Sequence, residues 1–135
     1  MEQTSKQVLE QAIAAHQSGE LEKAECKYRL ILQNQLTHPD ANHNLGVLIS
    51  SYNRVEESLK YFKTALDHSP NIEQFWYSYI DTLIKAKKIN LAKQTIDEGK
   101  KKGLSEGNAD AFKKRLYHNH KKQIVHNIPS KKELN

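Results

Sequence analysis

The sequence predicts an all-α protein built as a stack of helix pairs. Three observations predict it. Apolar residues recur at helical spacing along nearly the whole chain, as in Val8, Ala12 and Ala15. The pattern returns at a fixed period of 34 residues: Leu45-Gly46, Ile49, Ser58, Phe62, Ala65 and Pro70 have counterparts 34 positions away on both sides. Gly (5) and Pro (3) are scarce in 135 residues, which leaves little room for turn-rich β structure. A fixed period of this length marks a repeat array.

The helices follow in order. The first spans about 5–17, with Thr4 and Gln7 placed as a capping box, and Ser18-Gly19 ends it. The second spans about 21–34 and turns Leu21, Ala24, Tyr28, Ile31 and Leu32 to one face. His38-Pro39-Asp40 punctuates, and Pro39 suits a first helical turn. The third spans about 39–52 with Leu45, Leu48, Ile49 and Tyr52 inward. The fourth spans about 55–68 with Val55, Leu59, Phe62, Ala65 and Leu66 inward, and Ser69-Pro70-Asn71 stops it. The fifth, about 73–86, carries Trp76, Tyr79, Ile80 and Leu83. The sixth, about 89–102, carries Ile89, Ala92 and Ile96 and closes at Gly103, after three lysines that suit a negative helix end. A seventh begins near Asn108 with Ala109, Phe112 and Leu116 inward. Pairs start near Ser5, Pro39 and Glu73, and the short turn inside each pair forces an antiparallel neighbour.

Composition narrows the function classes. Residues 1–72 carry seven Lys/Arg against nine Asp/Glu, whereas residues 73–135 carry fourteen against seven. The basic half could attract nucleic acid or an acidic partner; a solvated solenoid end explains it as well. One cysteine, Cys26, excludes an internal disulfide. No stretch approaches a membrane span, and the polar start lacks the apolar core of a signal peptide. A cytoplasmic protein without membrane contact is expected.

At these residues the chain resembles the tetratricopeptide repeat proteins, whose pattern is W-x-x-L-G-x-x-Y, then A-x-x-x-F, then P. The first segment reads Val8-x-x-Gln11-Ala12-x-x-Ala15, then Asn42-x-x-Leu45-Gly46-x-x-Ile49, then Trp76-x-x-Tyr79-Ile80-x-x-Leu83. The second reads Ala24-x-x-x-Tyr28, Ser58-x-x-x-Phe62 and Ala92-x-x-x-Ile96. The closing proline position holds Leu36, Pro70 and Leu104. The resemblance implies a right-handed α-solenoid of three helix pairs plus a C-terminal capping helix. Its repeats are about 5–38, 39–72 and 73–106, the cap about 108–122, and the domain 5–122. Residues 123–135 then form a linker or the start of a further segment. The small residues Ala12, Gly46, Ala24, Ser58 and Ala92 let paired helices approach, while Tyr28 and Phe62 fill the space between repeats. Ile80 departs from the small-residue rule, which implies a wider angle between the fifth and sixth helices. The apolar face of the seventh helix covers the third repeat, with Lys113, Lys114 and Arg115 outward or flanking the seam.

The resemblance also implies a function: binding a peptide or partner protein in a groove lined by the first helix of each pair. The principal groove candidates are Leu9 and Ile13, then His43, Asn44, Val47 and Ser51, then Tyr77, Asp81, Ile84 and Lys85. Lys6, His16, Gln17, Asp40, Ser50, Gln74 and Ser78 join them at equivalent places. Relatives that grip the carboxylates of chaperone tails use cations and asparagines where this chain has Leu9, Ile13, Asn44, Gln74 and Ser78, so only Asn44 matches that mode. The groove asparagine run of O-linked N-acetylglucosamine transferases is also missing, with Glu10, Asn44 and Ser78 at its places.

No catalytic constellation, cofactor or metal is expected. His118 and His120 are the only close histidine pair, and a spacing of two puts them on different helix faces. His16, His43 and His68 read as surface residues. Cys26, between inward Ala24 and Tyr28 and near Lys23 and Lys27, reads as a half-buried structural thiol. Two alternatives remain open. One is the N-terminal targeting or assembly region of a larger glycosyltransferase- or sulfotransferase-like enzyme, resembled at His38–Leu48. The other, weaker, is RNA association through the basic and aromatic stretch Phe112–Lys122. Ser130 and Glu133 form a helix-start signal with Leu134 opening an apolar stripe, so the chain is expected to be cut from a longer one and to fray from about residue 123.

Overall fold

The computed structural model describes residues 2–126 of the chain, with side chains through 122. It contains α1 (Ser5–Gln17), α2 (Leu21–Asn34), α3 (Pro39–Ser51), α4 (Val55–His68), α5 (Glu73–Lys85), α6 (Ile89–Lys102) and α7 (Glu106–His126). No strand occurs among the described residues. Helices pack mainly on their sequence neighbours, the mark of a solenoid.

Local chemistry sets the boundaries. Thr4 Oγ1 accepts from Gln7 N–H at 3.1 Å, and Gln7 Oε1 accepts from Thr4 N–H at 2.9 Å, which closes the capping box. Before α3, His38 takes the cap: its Nδ1 accepts from Ala41 N–H at 3.1 Å, and Pro39 opens the first turn. α7 starts at Glu106, two residues before the expected Asn108, because Ser105 Oγ accepts from Asn108 N–H at 3.2 Å. α7 continues to His126. The Ser130–Leu134 signal lies outside the described residues. The turns inside the three pairs each hold one left-handed residue, Gly19 (φ 82°), Asn53 (φ 62°) and Lys87 (φ 60°), spaced by the same period.

The repeat pattern is a packing pattern. Ala12, Ala24, Ser58 and Ala92 are fully buried, and Ser58 Oγ donates to Val55 O at 2.6 Å so that no polar atom is stranded. At Gly46 a Cβ would lie 2.8 Å from Cε1 of Phe62, so the glycine is what lets α3 and α4 meet. α5 and α6 approach less closely than α3 and α4, in keeping with Ile80 where Gly46 stands one repeat earlier. One apolar cluster joins Tyr28 to Leu45, Leu48 and Ile49 of the next repeat. A larger one joins Phe62 to Phe75, Trp76 and Tyr79, and runs on to Ala109, Phe112 and Leu116 of α7. Each large side chain buried this way contributes about 1.5–3 kcal/mol.

Asn42 and Trp76 occupy the same repeat position and do the same polar work. Asn42 Nδ2 donates to Leu36 O at 3.1 Å, and Trp76 Nε1 donates to Pro70 O at 2.6 Å. Each ties a first helix to the carbonyl six residues back, on the preceding loop. Two expectations need correction. Tyr52 is exposed, because α3 ends at Ser51 and Tyr52 becomes its cap. Cys26 is exposed rather than half-buried: it follows the inward Ala24 by two positions and so points off the α2 stripe. Phe75, unremarked in the sequence pattern, is buried where Ala41 sits one repeat earlier.

Candidate functional site

The first helices α1, α3 and α5 share one face, and two hollows open along it. Between α3 and α5 a hollow of about 400 Å³ brings together Val47, Ser51, Tyr77, Asp81 and Lys85, with Ser50, Gln74 and Ser78 beside them. Between α1 and α3 a hollow of about 320 Å³ gathers Ile13, His16, Gln17 and Asn44 over Tyr28. Val47 (38% exposed) and Tyr77 (39% exposed) are the accessible apolar anchors of the larger hollow. Leu9 is partly buried against both N-terminal apolar clusters.

Two candidates stand elsewhere. Ile84 is buried in the same cluster as Leu116 of α7, because the last helix covers the position that Ser50 leaves open one repeat earlier. His43 is buried too, contrary to the surface reading. Its ring stacks on Phe75 at 4.8 Å and lies 5.5 Å from Phe62. His43 Nε2 is 2.7 Å from Ser78 Oγ, and Gln74 Nε2 donates to Ser78 Oγ at 3.2 Å. His43 Nδ1 is 3.3 Å from Asn44 Oδ1. A neutral ring with its proton on Nδ1 satisfies this whole chain: it donates to Asn44 and accepts from Ser78, which accepts from Gln74. Burial lowers the His43 pKa from 6.5, against smaller opposing effects of the Asn44 bond and the Asp40 charge. The register gives no signal for this burial, since the equivalent positions hold a partly buried Leu9 and an exposed Tyr77.

Asp81 is not a free anion. Its carboxylate pairs with Lys85 Nζ at 2.9 Å and with Arg115 Nη1 at 2.8 Å. Arg115 was not among the groove residues expected from sequence, yet it follows Asp81 by one period. Its guanidinium also lies 5.5 Å from the centre of the Phe112 ring, and Phe112 packs on Tyr77 at 4.8 Å. Glu73 accepts from Ser105 Oγ at 3.0 Å and from the Asn108 side chain, which fastens the other end of α7 to α5. α7 therefore extends the face as a fourth first-type helix. Of three consecutive cations Arg115 is the one paired with α5, whereas Lys113 and Lys114 are exposed and Lys113 lies 4.0 Å from Asp97 of α6.

In the hollow between α1 and α3, Tyr28 is pushed up to about 12 by burial, and its hydroxyl lies 3.0 Å from His16 Nδ1. Among the described residues, no group of three or more His, Cys, Asp or Glu is placed to hold a metal ion. No described helix is long and apolar enough to cross a membrane.

Neither a scan of protein-family models nor a search of curated proteins by sequence gives a match. Solved structures do match. The tetratricopeptide repeat domain of Sgt2 from Aspergillus fumigatus superposes with TM-score 0.74 at 16% identity, over 93% of this chain and 85% of that one. YrrB, described as a tetratricopeptide repeat protein with an unusual peptide-binding site, gives TM-score 0.74 at 17% identity over 87% of this chain. PilF of Pseudomonas aeruginosa gives 0.71 at 17% identity over 89% of this chain. The matches span 60% of the YrrB chain and 55% of the PilF chain. With the 34-residue register, the shared small and aromatic positions and these superpositions together, the chain is a helical-repeat solenoid of the tetratricopeptide fold.

Proposed function

We propose that residues 5–122 act as one non-catalytic protein-interaction unit that holds an extended peptide or a helix of a partner along the face of α1, α3 and α5. The observation that carries this reading is the hollow between α3 and α5. It exposes two apolar anchors, Val47 and Tyr77, amid side chains that can hydrogen-bond a peptide backbone: Ser50, Ser51 and Gln74. A few anchors in a rigid groove suffice for peptide recognition. The peptide-binding site described for YrrB lends support by analogy of fold.

The test uses a partner retained from source cells on the immobilised full chain. Val47→Glu or Ser51→Arg should weaken its binding by about tenfold or more, since each places bulk or charge in the hollow without touching the core. Glu56→Ala and Lys60→Ala, on the outer face of α4, should leave affinity unchanged. Equal affinity for all four variants would reject the groove.

A further inference from the structure

Two hollows of about 440 Å³ and 390 Å³ adjoin along α6 and α7 and share Leu116 and His120, so they form one furrow. Its floor, Ile96 and Leu116, is buried and already satisfied by the core. What the furrow offers a ligand is its walls. Lys93 of α6, Lys113 and Lys122 of α7, and Lys87 of the turn before α6 line them, and all four are exposed. The walls hold one carboxylate, Asp97, 4.0 Å from Lys113 Nζ. The hollow between α3 and α5 has a different balance: its one lysine, Lys85, is paired with Asp81. Cations gathered along one furrow raise the local potential and draw in a polyanion.

The sequence suggests a basic and aromatic track within Phe112–Lys122. Folding breaks that track and builds another. Phe112 and Leu116 enter the core, and Arg115 is held by Asp81 at 2.8 Å. In exchange the fold brings Lys87 and Lys93 to the side of α7 that carries Lys113 and Lys122. Lys113, Tyr117 and His120 stand at i, i+4 and i+7, so they lie on one stripe of α7. Tyr117 is 63% exposed there, with its ring beside the lysines. Lys113 to Lys122 covers about 13 Å of helix, the length of a few nucleotides. Lysines that track phosphates next to an exposed ring that stacks on a base are the two parts of a single-strand site. Asn119 and His120, in the same walls, can hydrogen-bond a splayed base edge.

We propose that the furrow between α6 and α7 binds a single strand of nucleic acid, with phosphates on Lys87, Lys93, Lys113 and Lys122 and a base on Tyr117. A duplex keeps its base faces stacked on one another and has none to give Tyr117. An acidic peptide would use the lysines and leave the ring idle. The furrow shares no lining residue with the hollows of the first-helix face, so its ligand is independent of the peptide proposed there.

Fluorescence anisotropy of the full chain with a labelled oligouridine of about 12 nucleotides tests this. Affinity should fall with salt along a log–log slope of about −2 to −3, as three to four displaced counterions require. Lys93→Gln with Lys122→Gln should weaken binding about tenfold or more and make the slope shallower by about 1.4. Tyr117→Ala should weaken binding about tenfold and leave the slope unchanged, and Tyr117→Phe should keep the affinity, because stacking needs the ring and not the hydroxyl. Lys23→Gln with Lys60→Gln removes the same charge from exposed places on α2 and α4 and should change little. All of these side chains are exposed, so the fold is kept, and circular dichroism checks it. The proposal is overturned by absent binding, by equal losses in the two double-lysine variants, or by a Tyr117→Ala variant that binds as well as the wild type. It is equally overturned if the same strand paired with oligoadenosine binds as tightly, or if an oligoglutamate of equal charge displaces the strand at equal concentration.

Discussion

His43 shows how one buried side chain couples groove to core. Its ring is neutral, hydrogen-bonded on both nitrogens and stacked on Phe75. Its folded-state pKa lies below 6.5. The unfolded chain therefore takes up this proton first as pH falls, and stability drops between pH 6.5 and the lower folded value, then levels off. Above 6.5 the contribution is complete. Urea midpoints at pH 7.5, 6.5 and 5.5 should show a steeper loss for the wild type than for His43→Gln; parallel losses would contradict the assignment. The Gly46–Phe62 contact makes a second test. Phe62→Ala should cost about 3–5 kcal/mol through the cavity it leaves. Gly46→Ala should cost about 1–3 kcal/mol by overpacking, because its Cβ meets that ring. In the double variant the added methyl has room, so the two costs should sum to less than their separate values. Full additivity would mean the residues do not touch. The sequence marked Gly46 and Phe62 through the repeat pattern, but it hid His43, because its polarity suggests solvent and its repeat counterparts, Leu9 and Tyr77, are not core residues.

At the scale of elements, the sequence located helix ends closely because each end has its own chemistry: the Thr4 box, Pro39 at a first turn, Gly103 after the lysines of α6. It located turns less well. Gly19 and Asn53 are natural left-handed residues, but Lys87 holds φ 60° without that licence. Lys87→Asn should raise stability by about 0.5–1 kcal/mol, since asparagine accepts this conformation and already serves at Asn53. An unchanged or lower urea midpoint would show that the turn is not strained. The course of α7 was only half legible. Ala109, Phe112 and Leu116 announced its buried stripe, whereas its clasp on α5 comes from Glu73, which holds Asn108, and from Asp81, one period before Arg115. Those pairings need the superhelix to bring the residues together, and no local pattern displays them.

The whole molecule is a short stack with three surfaces of different character. The outer face of α2 and α4 carries mixed ion pairs such as Arg29 with Glu25 and Arg54 with Glu57. The surface of α6 and α7 is cationic, with Lys93, Lys113 and Lys114 exposed. The face of α1, α3 and α5 combines apolar anchors with uncharged hydrogen-bonding groups, and its charges are paired internally at Asp81. Its candidate residues were legible wherever the repeat register placed them on an open first helix, as with Val47, Ser51 and Tyr77. They were misread where the next helix closes over the position, as with Ile84. The central claim is that partners bind along this face. Amide chemical-shift mapping of the full chain with a captured partner tests it most directly. The account predicts the largest shifts at Ile13, Asn44, Val47, Ser51, Gln74 and Tyr77, with α2, α4 and α6 nearly silent; shifts confined to those second helices would contradict it.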